Sequence, residues 1–194
     1  MLTKEEVQAL INWDVDEVMS IIKKCKETEQ EYFFKNFITP TVTWDDILEH
    51  INDAWDIEDE LKFSRKTNKH NHVHYGDRWD LIVENQGEPI KNQEIKNIRQ
   101  ILNFIYDEDP GHPFLFVNFL DKANTMFHKD DSDNFQLVVV GGPVVWSVGN
   151  VGEERDYALM AGDLIFSPYK QPHATDVQRR ASVNMNFNRR SLRQ

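Results

Sequence analysis

The sequence has little cysteine, no long apolar run and a deficit of positive charge, and each shortage excludes a class of protein. A single cysteine, Cys25, excludes an intrachain disulfide and a cysteine-rich zinc site. No window approaches the roughly 18 consecutive apolar residues that indicate a membrane helix. Lys and Arg total 22 against 33 Asp and Glu, and the formal charge of -11 disfavours binding to nucleic acid.

Two common signatures of enzymes are also missing. The chain has no G-x-S-x-G nucleophile motif and no glycine-rich phosphate loop, and we interpret Gly141-Gly142-Pro143 as a turn at the end of a strand.

The amino-terminal residues MLTKEEVQAL are charged and amphipathic, unlike a secretory signal. With 40% hydrophobic residues, the 194-residue chain can form one packed core. We therefore expect residues 1–194 to form a single acidic domain in the cytoplasm.

The first half of the chain is predicted to be mainly helical. Thr3 and Glu6 form a capping-box pattern ahead of an amphipathic segment, and Asp14 with Glu17 marks a second start, so this region is expected to form one kinked helix or two short ones. Two further helices are expected at TWDDILEHINDAW and QEIKNIRQILNFIYD, the last of which ends at the prolines and glycine of DEDPGHP. Residues 1–112 are thus expected to supply helical and edge-strand support.

The second half has the pattern of antiparallel strands. The runs FLFVNF, FQLVVV, DLIFSP and ASVNMNF are short, rich in aromatic or β-branched residues, and separated by Gly, Pro, Asn and Asp. Short strands of this kind favour a sandwich or barrel over alternating βαβ units. The predicted fold is therefore mostly β with α, a barrel on which an amino-terminal helical region packs.

A histidine and an aspartate could share a metal ion at His128-Lys129-Asp130. On a strand, residues i and i+2 point to the same face, although about one His-x-acid triplet is expected by chance in a chain of this composition. A second segment, AGDLIFSPYKQPH, combines a Gly-Asp turn, a strand closed by proline, and His173 at the start of the next strand. Two histidines and one carboxylate make the facial triad that binds Fe(II) and leaves coordination positions open.

The stretch TMFHKDDSDNFQLVVVGGPVVW resembles the metal-binding core of JmjC-type, cupin-fold oxygenases that depend on Fe(II) and 2-oxoglutarate. That family shows T-x-x-H-x-D, a following Asn, and a strand ending in G-x-K-x-W, matched here by Thr125, His128, Asp130, Asn134, Gly142 and Trp146. The AGDLIFSPYKQPH stretch is similar to the family segment with the distal histidine, and Asn186-Phe187 to an Asn-Phe pair in the last strand of some protein hydroxylases. The resemblance covers residues 114–188.

This resemblance implies a double-stranded β-helix with its metal-binding core at residues 113–188. Iron would be held by His128, Asp130 and His173, and 2-oxoglutarate and dioxygen would be the cosubstrates. Oxidative decarboxylation of 2-oxoglutarate to succinate would accompany hydroxylation of a protein side chain or a small molecule. Thr125, Asn134 and Asn186 are the expected neighbours of the cosubstrate, in a monomer or homodimer that binds neither nucleic acid nor membrane.

The sequence departs from the family at one important position. The basic residue of G-x-K-x-W, which pairs with the far carboxylate of 2-oxoglutarate, is Val144 here. Arg180 and Ser182 form an R-x-S pair that many other 2-oxoglutarate oxygenases place after the distal histidine. In the opposite interpretation, Arg179 and Arg180 form an exposed turn.

Two alternative functions stay open beside the 2-oxoglutarate-dependent oxygenase. They are a metal-binding cupin that binds a ligand or partner without oxygenase activity, and an iron oxygenase that does not use 2-oxoglutarate.

The remaining histidines have weaker sequence signals for a metal site. Three histidines alternate along one segment, as metal ligands on one face of a strand would: His70, His72 and His74. No acid or further histidine follows them at the usual cupin spacing. We therefore favour a surface or substrate-facing loop over a second metal site. His50 is expected to lie on the exposed face of its helix. Trp146 is expected in the core because of its large apolar area.

Overall fold

The structure is a computed structural model that describes residues 1–61, 72–75, 81–84, 92–107, 111–120 and 123–188. In these ranges the chain forms four helices, α1 (Lys4–Leu10), α2 (Val15–Thr28), α3 (Trp44–Leu61) and α4 (Gln93–Tyr106). The strands of the described part are β1 (Tyr32–Phe34), β2 (His72–Tyr75), β3 (Leu81–Glu84), β4 (His112–Asn118), β5 (Ala123–Asn124), β6 (Asp133–Gly141), β7 (Val144–Val148), β8 (Arg155–Leu159), β9 (Leu164–Ser167), β10 (His173–Val177) and β11 (Arg180–Phe187). No helix in the described residues is long and apolar enough to cross a membrane.

Helices α1 and α2 begin at the residues that their capping patterns predict. The Thr3 hydroxyl accepts a hydrogen bond from the Glu6 amide at 3.2 Å, and the Glu6 carboxylate accepts one from the Thr3 amide at 2.7 Å. At the start of α2 the Asp14 carboxylate accepts from the Glu17 amide at 2.9 Å. Such caps satisfy amides that have no partner within the helix, and this local chemistry makes helix starts readable from sequence.

The strands form two antiparallel sheets that face each other. The larger sheet has the order β1-β9-β6-β11-β4-β3-β2, and the smaller has the order β5-β10-β7-β8. From β6 onward the chain alternates between them, with β7, β8 and β10 in the smaller sheet and β9 and β11 in the larger one. This confirms the predicted mostly β fold with helices, arranged as a double-stranded β-helix.

The two faces of the larger sheet have different surroundings because side chains alternate along a strand. One face supplies Leu115, Val117, Phe135, Leu137, Val139, Ala181, Val183 and Met185 to a single apolar cluster with residues of α1, α2 and α4. The other face of β6 and β11 carries polar side chains into the interior of the barrel: Asn134, Gln136, Arg180, Ser182, Asn184 and Asn186. The helices therefore support the sheet from outside, and the polar face is left for a site.

A smaller apolar cluster fills the other part of the barrel interior. It contains Val138, Val144, Trp146, Val148, Leu159, Ile165 and Val177. The turn that connects β8 to β9 depends on Gly162, whose φ of +95° suits glycine, and a Cβ there would lie 2.5 Å from the Ile38 carbonyl oxygen. The adjacent Asp163 carboxylate is buried and accepts hydrogen bonds from the Asn36 and Met160 amides.

For the other histidines, the structure contradicts the prediction for His50 and does not describe the side chains of His70, His72 and His74. His50 is only 4% exposed, so the prediction of an exposed position on its helix is wrong. Residues 72–75 form β2, paired with β3, while His70 and the side chains of His72 and His74 lie outside the described residues. Their role as a loop or second metal site stays a prediction.

Candidate metal centre

The two histidines of the predicted triad meet through their backbones. His128 lies between β5 and β6, and His173 is the first residue of β10. The His128 amide donates to the His173 carbonyl and the His173 amide to the His128 carbonyl, both at 3.0 Å. This reciprocal pair makes an isolated antiparallel bridge, so the two residues lie directly opposite each other. Their ring centroids are 4.3 Å apart.

Asp130 completes the cluster from the loop that follows His128. Its carboxylate oxygens lie 3.8 Å from His128 Nε2 and 3.6 Å from His173 Nε2. The three ligand atoms lie within 4.8 Å of one another, and no other such group occurs among the residues that the structure describes. The structure thus brings the three predicted residues together. The predicted strand through His128 and Asp130 is wrong, because Asp130 lies in a loop where its carbonyl accepts from the Lys170 amide.

Both imidazole rings are held in the orientation that a metal ligand needs. His128 Nδ1 lies 2.9 Å from the Met126 carbonyl oxygen, and His173 Nδ1 lies 3.0 Å from the Gln171 carbonyl oxygen. Since a carbonyl oxygen can only accept, each Nδ1 donates this hydrogen bond, and each Nε2 is the ring nitrogen that lies near Asp130 and is left for a metal. Burial lowers the pKa of His173, which favours the neutral ring that binds metal. The donor set and its tautomers therefore fit a divalent iron ion.

The Asp130 carboxylate is oriented by an amide. Asn134 Nδ2 donates to Asp130 Oδ2 at 3.2 Å and to Asn186 Oδ1 at 2.7 Å. Asn134 lies on β6 directly opposite Asn186 on β11, so the regular register of the sheet fixes the amide that contacts the carboxylate. Hydrogen-bonded neighbours of this kind orient ligand side chains and tune metal affinity.

A buried carboxylate connects the two loops that carry the ligands. Asp133, the first residue of β6, accepts from the Tyr169 amide at 2.6 Å and from the Tyr106 hydroxyl at 2.8 Å. Tyr169 precedes His173 by four residues, and Asp133 follows Asp130 by three. The position of one ligand loop against the other is therefore tied to the end of α4.

The triad lies in the wall of a cavity of about 130 Å³. Arg180, at the start of β11, is only 2% exposed and lines this cavity, which contradicts the alternative of an exposed turn. It is the one permanently cationic side chain among the described residues of the wall. The described residues that line the cavity are Phe116, Thr125, His128, Asp130, Asn134, Gln136, Trp146, His173, Thr175, Arg180, Asn184 and Asn186.

Of the other residues considered for cosubstrate binding, Thr125 lines the cavity and Ser182 does not. Thr125 lines the cavity, and its hydroxyl lies 2.9 Å from that of Thr175. Ser182 is buried but does not line the cavity; it accepts from Gln136 Nε2 at 3.3 Å and lies 3.4 Å from Asn184 Oδ1. Val144 is fully buried in the apolar cluster and is not part of the wall.

Sequence reasoning missed several residues of the wall. Gln136 lies two residues after Asn134 on β6, and Thr175 two residues after His173 on β10. Their spacing is the signal that could have found them, because alternate residues of a strand share a face. Phe116 follows the same rule across the sheet, where it lies opposite Ser182.

No protein-family model and no curated protein sequence matches the chain. Several solved structures do match the chain in fold. A Trichoplax adhaerens prolyl hydroxylase, solved with a peptide fragment of the hypoxia inducible factor oxygen degradation domain, matches with a TM-score of 0.59 and 12% identity over 94% of this chain and 97% of that one. A Pseudomonas putida prolyl-4-hydroxylase matches with a TM-score of 0.53 and 13% identity over 89% of this chain and 99% of that one.

The Escherichia coli ribosomal oxygenase YcfD, solved with cobalt and 2-oxoglutarate, matches with a TM-score of 0.63 and 13% identity. The match covers 93% of this chain and 53% of YcfD, so the chain spans about half the length of that protein. At such low identity the three likenesses establish the fold. The chain therefore shares the fold of these three proteins, which agrees with the double-stranded β-helix described above.

Proposed function

We propose that this protein is an Fe(II)- and 2-oxoglutarate-dependent dioxygenase that hydroxylates a protein side chain or a small molecule. One observation carries the proposal: the ligand atoms of His128, Asp130 and His173 converge within 4.8 Å in the wall of a cavity that also contains the buried Arg180. Two histidines with one carboxylate are the ligand set of non-haem Fe(II) oxygenases. A buried cation beside them suits an anionic cosubstrate.

The three ligands would hold the iron, and their neighbours would hold the ligands. Bound iron supplies the open coordination positions and the redox chemistry that couple decarboxylation of 2-oxoglutarate to hydroxylation. Asn134 keeps the Asp130 carboxylate turned toward the two Nε2 atoms. The carbonyls of Met126 and Gln171 would hold each ring through Nδ1 and leave Nε2 for the iron.

Arg180 would bind the far carboxylate of 2-oxoglutarate. A guanidinium offers two parallel donors to a carboxylate, and such a pair is much stronger away from water than at the surface. Thr125 would donate a further hydrogen bond from the cavity wall, and Asn134 and Asn186 complete the polar surroundings. For Ser182 we now propose an indirect part, since it contacts Gln136 and Asn184 rather than the cavity.

The absence of a basic residue at position 144 favours a second candidate, a metal-binding cupin that recognises a ligand or partner without oxygen chemistry. Val144 packs among apolar side chains and supplies no charge to the cavity. Arg180 supplies a cation from another strand, and for this reason the oxygenase is the stronger candidate.

Turnover of 2-oxoglutarate tests the proposal. The protein is stripped with a chelator, reconstituted with Fe(II) without oxygen, and mixed with 2-oxoglutarate and oxygen; succinate is measured with and without candidate peptides and small molecules. We expect succinate from the wild type and none from Asp130→Ala. Asp131→Ala, which removes the neighbouring exposed carboxylate, is the matched control and should retain activity. Iron binding without succinate from any mixture would contradict the oxygenase and favour the second candidate.

A further inference from the structure

Trp146 occupies the boundary between the apolar cluster and the candidate metal centre. It lies on β7, opposite Thr175 of β10 and Tyr157 of β8. Its side chain is 2% exposed and packs within the apolar cluster, yet it also lines the cavity. Its indole ring stacks on the imidazole of His173, with centroids 4.7 Å apart and planes inclined by 13°. The ring therefore supports a metal ligand from one side.

The indole nitrogen of Trp146 distinguishes it from a simple packing residue. Trp146 Nε1 is buried and has no hydrogen-bond acceptor within the described residues. By contrast, Trp13 Nε1 donates to the Lys35 carbonyl at 3.0 Å. Buried Trp N–H groups usually have a partner, and an exception in the wall of a site calls for an explanation. A ligand in the cavity is a natural source of the acceptor.

The chemistry of the cosubstrate matches the missing partner. The two carboxylates and the keto group of 2-oxoglutarate offer only oxygen acceptors, and the wall already contains Arg180 as a charged donor. We propose that Trp146 is a cosubstrate-binding residue whose indole N–H donates a hydrogen bond to an oxygen of bound 2-oxoglutarate; this inference rests on the proposed function. The same side chain thereby supports His173 and contacts the cosubstrate.

Nuclear magnetic resonance can observe this hydrogen bond without turnover. The protein is labelled with ¹⁵N at its indole nitrogens and loaded with Zn(II), a diamagnetic substitute for iron. The Trp146 signal is assigned by its loss in Trp146→Phe. On addition of 2-oxoglutarate we expect the Trp146 indole proton to move downfield and to exchange more slowly with water. The Trp13 signal, whose acceptor is a backbone carbonyl, should not move.

An isosteric replacement measures the contribution of the N–H group. Benzothienylalanine, introduced at position 146 by nonsense suppression, keeps the shape of the ring but has sulfur in place of N–H. We expect affinity for 2-oxoglutarate, measured by calorimetry on the Mn(II)-loaded protein, to fall by on the order of tenfold. Affinity for Mn(II) should change less than about twofold, because the ring can still stack on His173. Trp13→Phe is the matched control and should leave both affinities unchanged.

The outcomes separate this inference from the proposed function. If the wild type binds 2-oxoglutarate while the Trp146 signal stays in place and the benzothienyl variant binds equally well, the inference is wrong and the proposed function stands. If the metal-loaded wild type binds no 2-oxoglutarate, both are wrong. Weaker binding of Mn(II) and 2-oxoglutarate by the same factor would show that Trp146 only supports His173, and would also overturn the inference.

Discussion

Arg180 gives the sharpest test of how the cosubstrate is held. The perturbation is Arg180→Ala, which removes the one permanent cation among the described residues of the cavity wall. Arg179→Ala is the matched control, since that neighbouring guanidinium is exposed and lies 4.6 Å from the ring centroid of Trp44. The pair of variants compares loss of the same side chain inside and outside the cavity.

The expected magnitude follows from the burial of Arg180. Removing one partner of a buried, hydrogen-bonded charge pair costs about 2–5 kcal/mol, much of it from leaving the other charge unpaired. At 1.4 kcal/mol for each factor of ten, the dissociation constant of 2-oxoglutarate should rise by roughly 30-fold to several thousand-fold. Arg180→Lys should lose less, because an ammonium keeps the charge but not the two parallel donors.

The assay measures the affinities for metal and 2-oxoglutarate separately by calorimetry under anaerobic conditions. We expect the affinity of Arg180→Ala for Fe(II) to stay near that of the wild type, because the proposed ligands are two histidines and Asp130. Circular dichroism should show an intact fold in each variant. Equal binding of 2-oxoglutarate by Arg180→Ala and Arg179→Ala would refute the reasoning, as would a loss confined to iron.

Three further predictions concern other parts of the molecule. Asn134→Ala should weaken Fe(II) binding by about 10- to 100-fold, measured by calorimetry, because the Asp130 carboxylate loses its orienting amide. Burial raises the pKa of the Cys25 thiol to about 11, so Cys25 should resist iodoacetamide at pH 8 in the native protein and react in urea; fast native alkylation would contradict this. Gly162→Ala should lower the free energy of unfolding in urea by at least about 1 kcal/mol, because φ is +95° and the new Cβ meets the Ile38 carbonyl; unchanged stability would contradict this.

Local chemistry explains which elements could be predicted from the sequence. The caps at Thr3 and Asp14 are formed by residues three positions apart, so they are visible without knowledge of the fold. The polar residues of β11 are likewise visible, because Arg180, Ser182, Asn184 and Asn186 alternate at the period of a strand. These signals predicted two helix starts and one polar strand face, whereas the fold class followed from the run of short strands and the three candidate metal ligands from their spacing and the family resemblance.

The features that the sequence did not predict depend on packing between segments that are far apart in the chain. Ser182 shares its strand face with Arg180, but Gln136 from β6 and Asn184 lie against it, so it contacts them and not the cavity. Asp130 reaches the histidines from a loop, whose position depends on a hydrogen bond from the Lys170 amide, 40 residues away. His50 is buried although its helix pattern indicates an exposed face. Contacts between distant segments leave no period in the sequence.

In the proposed enzyme, His128, Asp130 and His173 would hold the iron, and 2-oxoglutarate would bind at the same centre. Visible absorption measures this directly, because Fe(II) chelated by a 2-oxo acid shows a metal-to-ligand charge-transfer band. Chelator-stripped protein is titrated anaerobically with Fe(II) and then with 2-oxoglutarate. We predict a saturable band with one equivalent of iron in the wild type and in Asp131→Ala, and no band in His128→Ala or Asp130→Ala. A band of equal intensity in Asp130→Ala, or none in the wild type, would contradict the account.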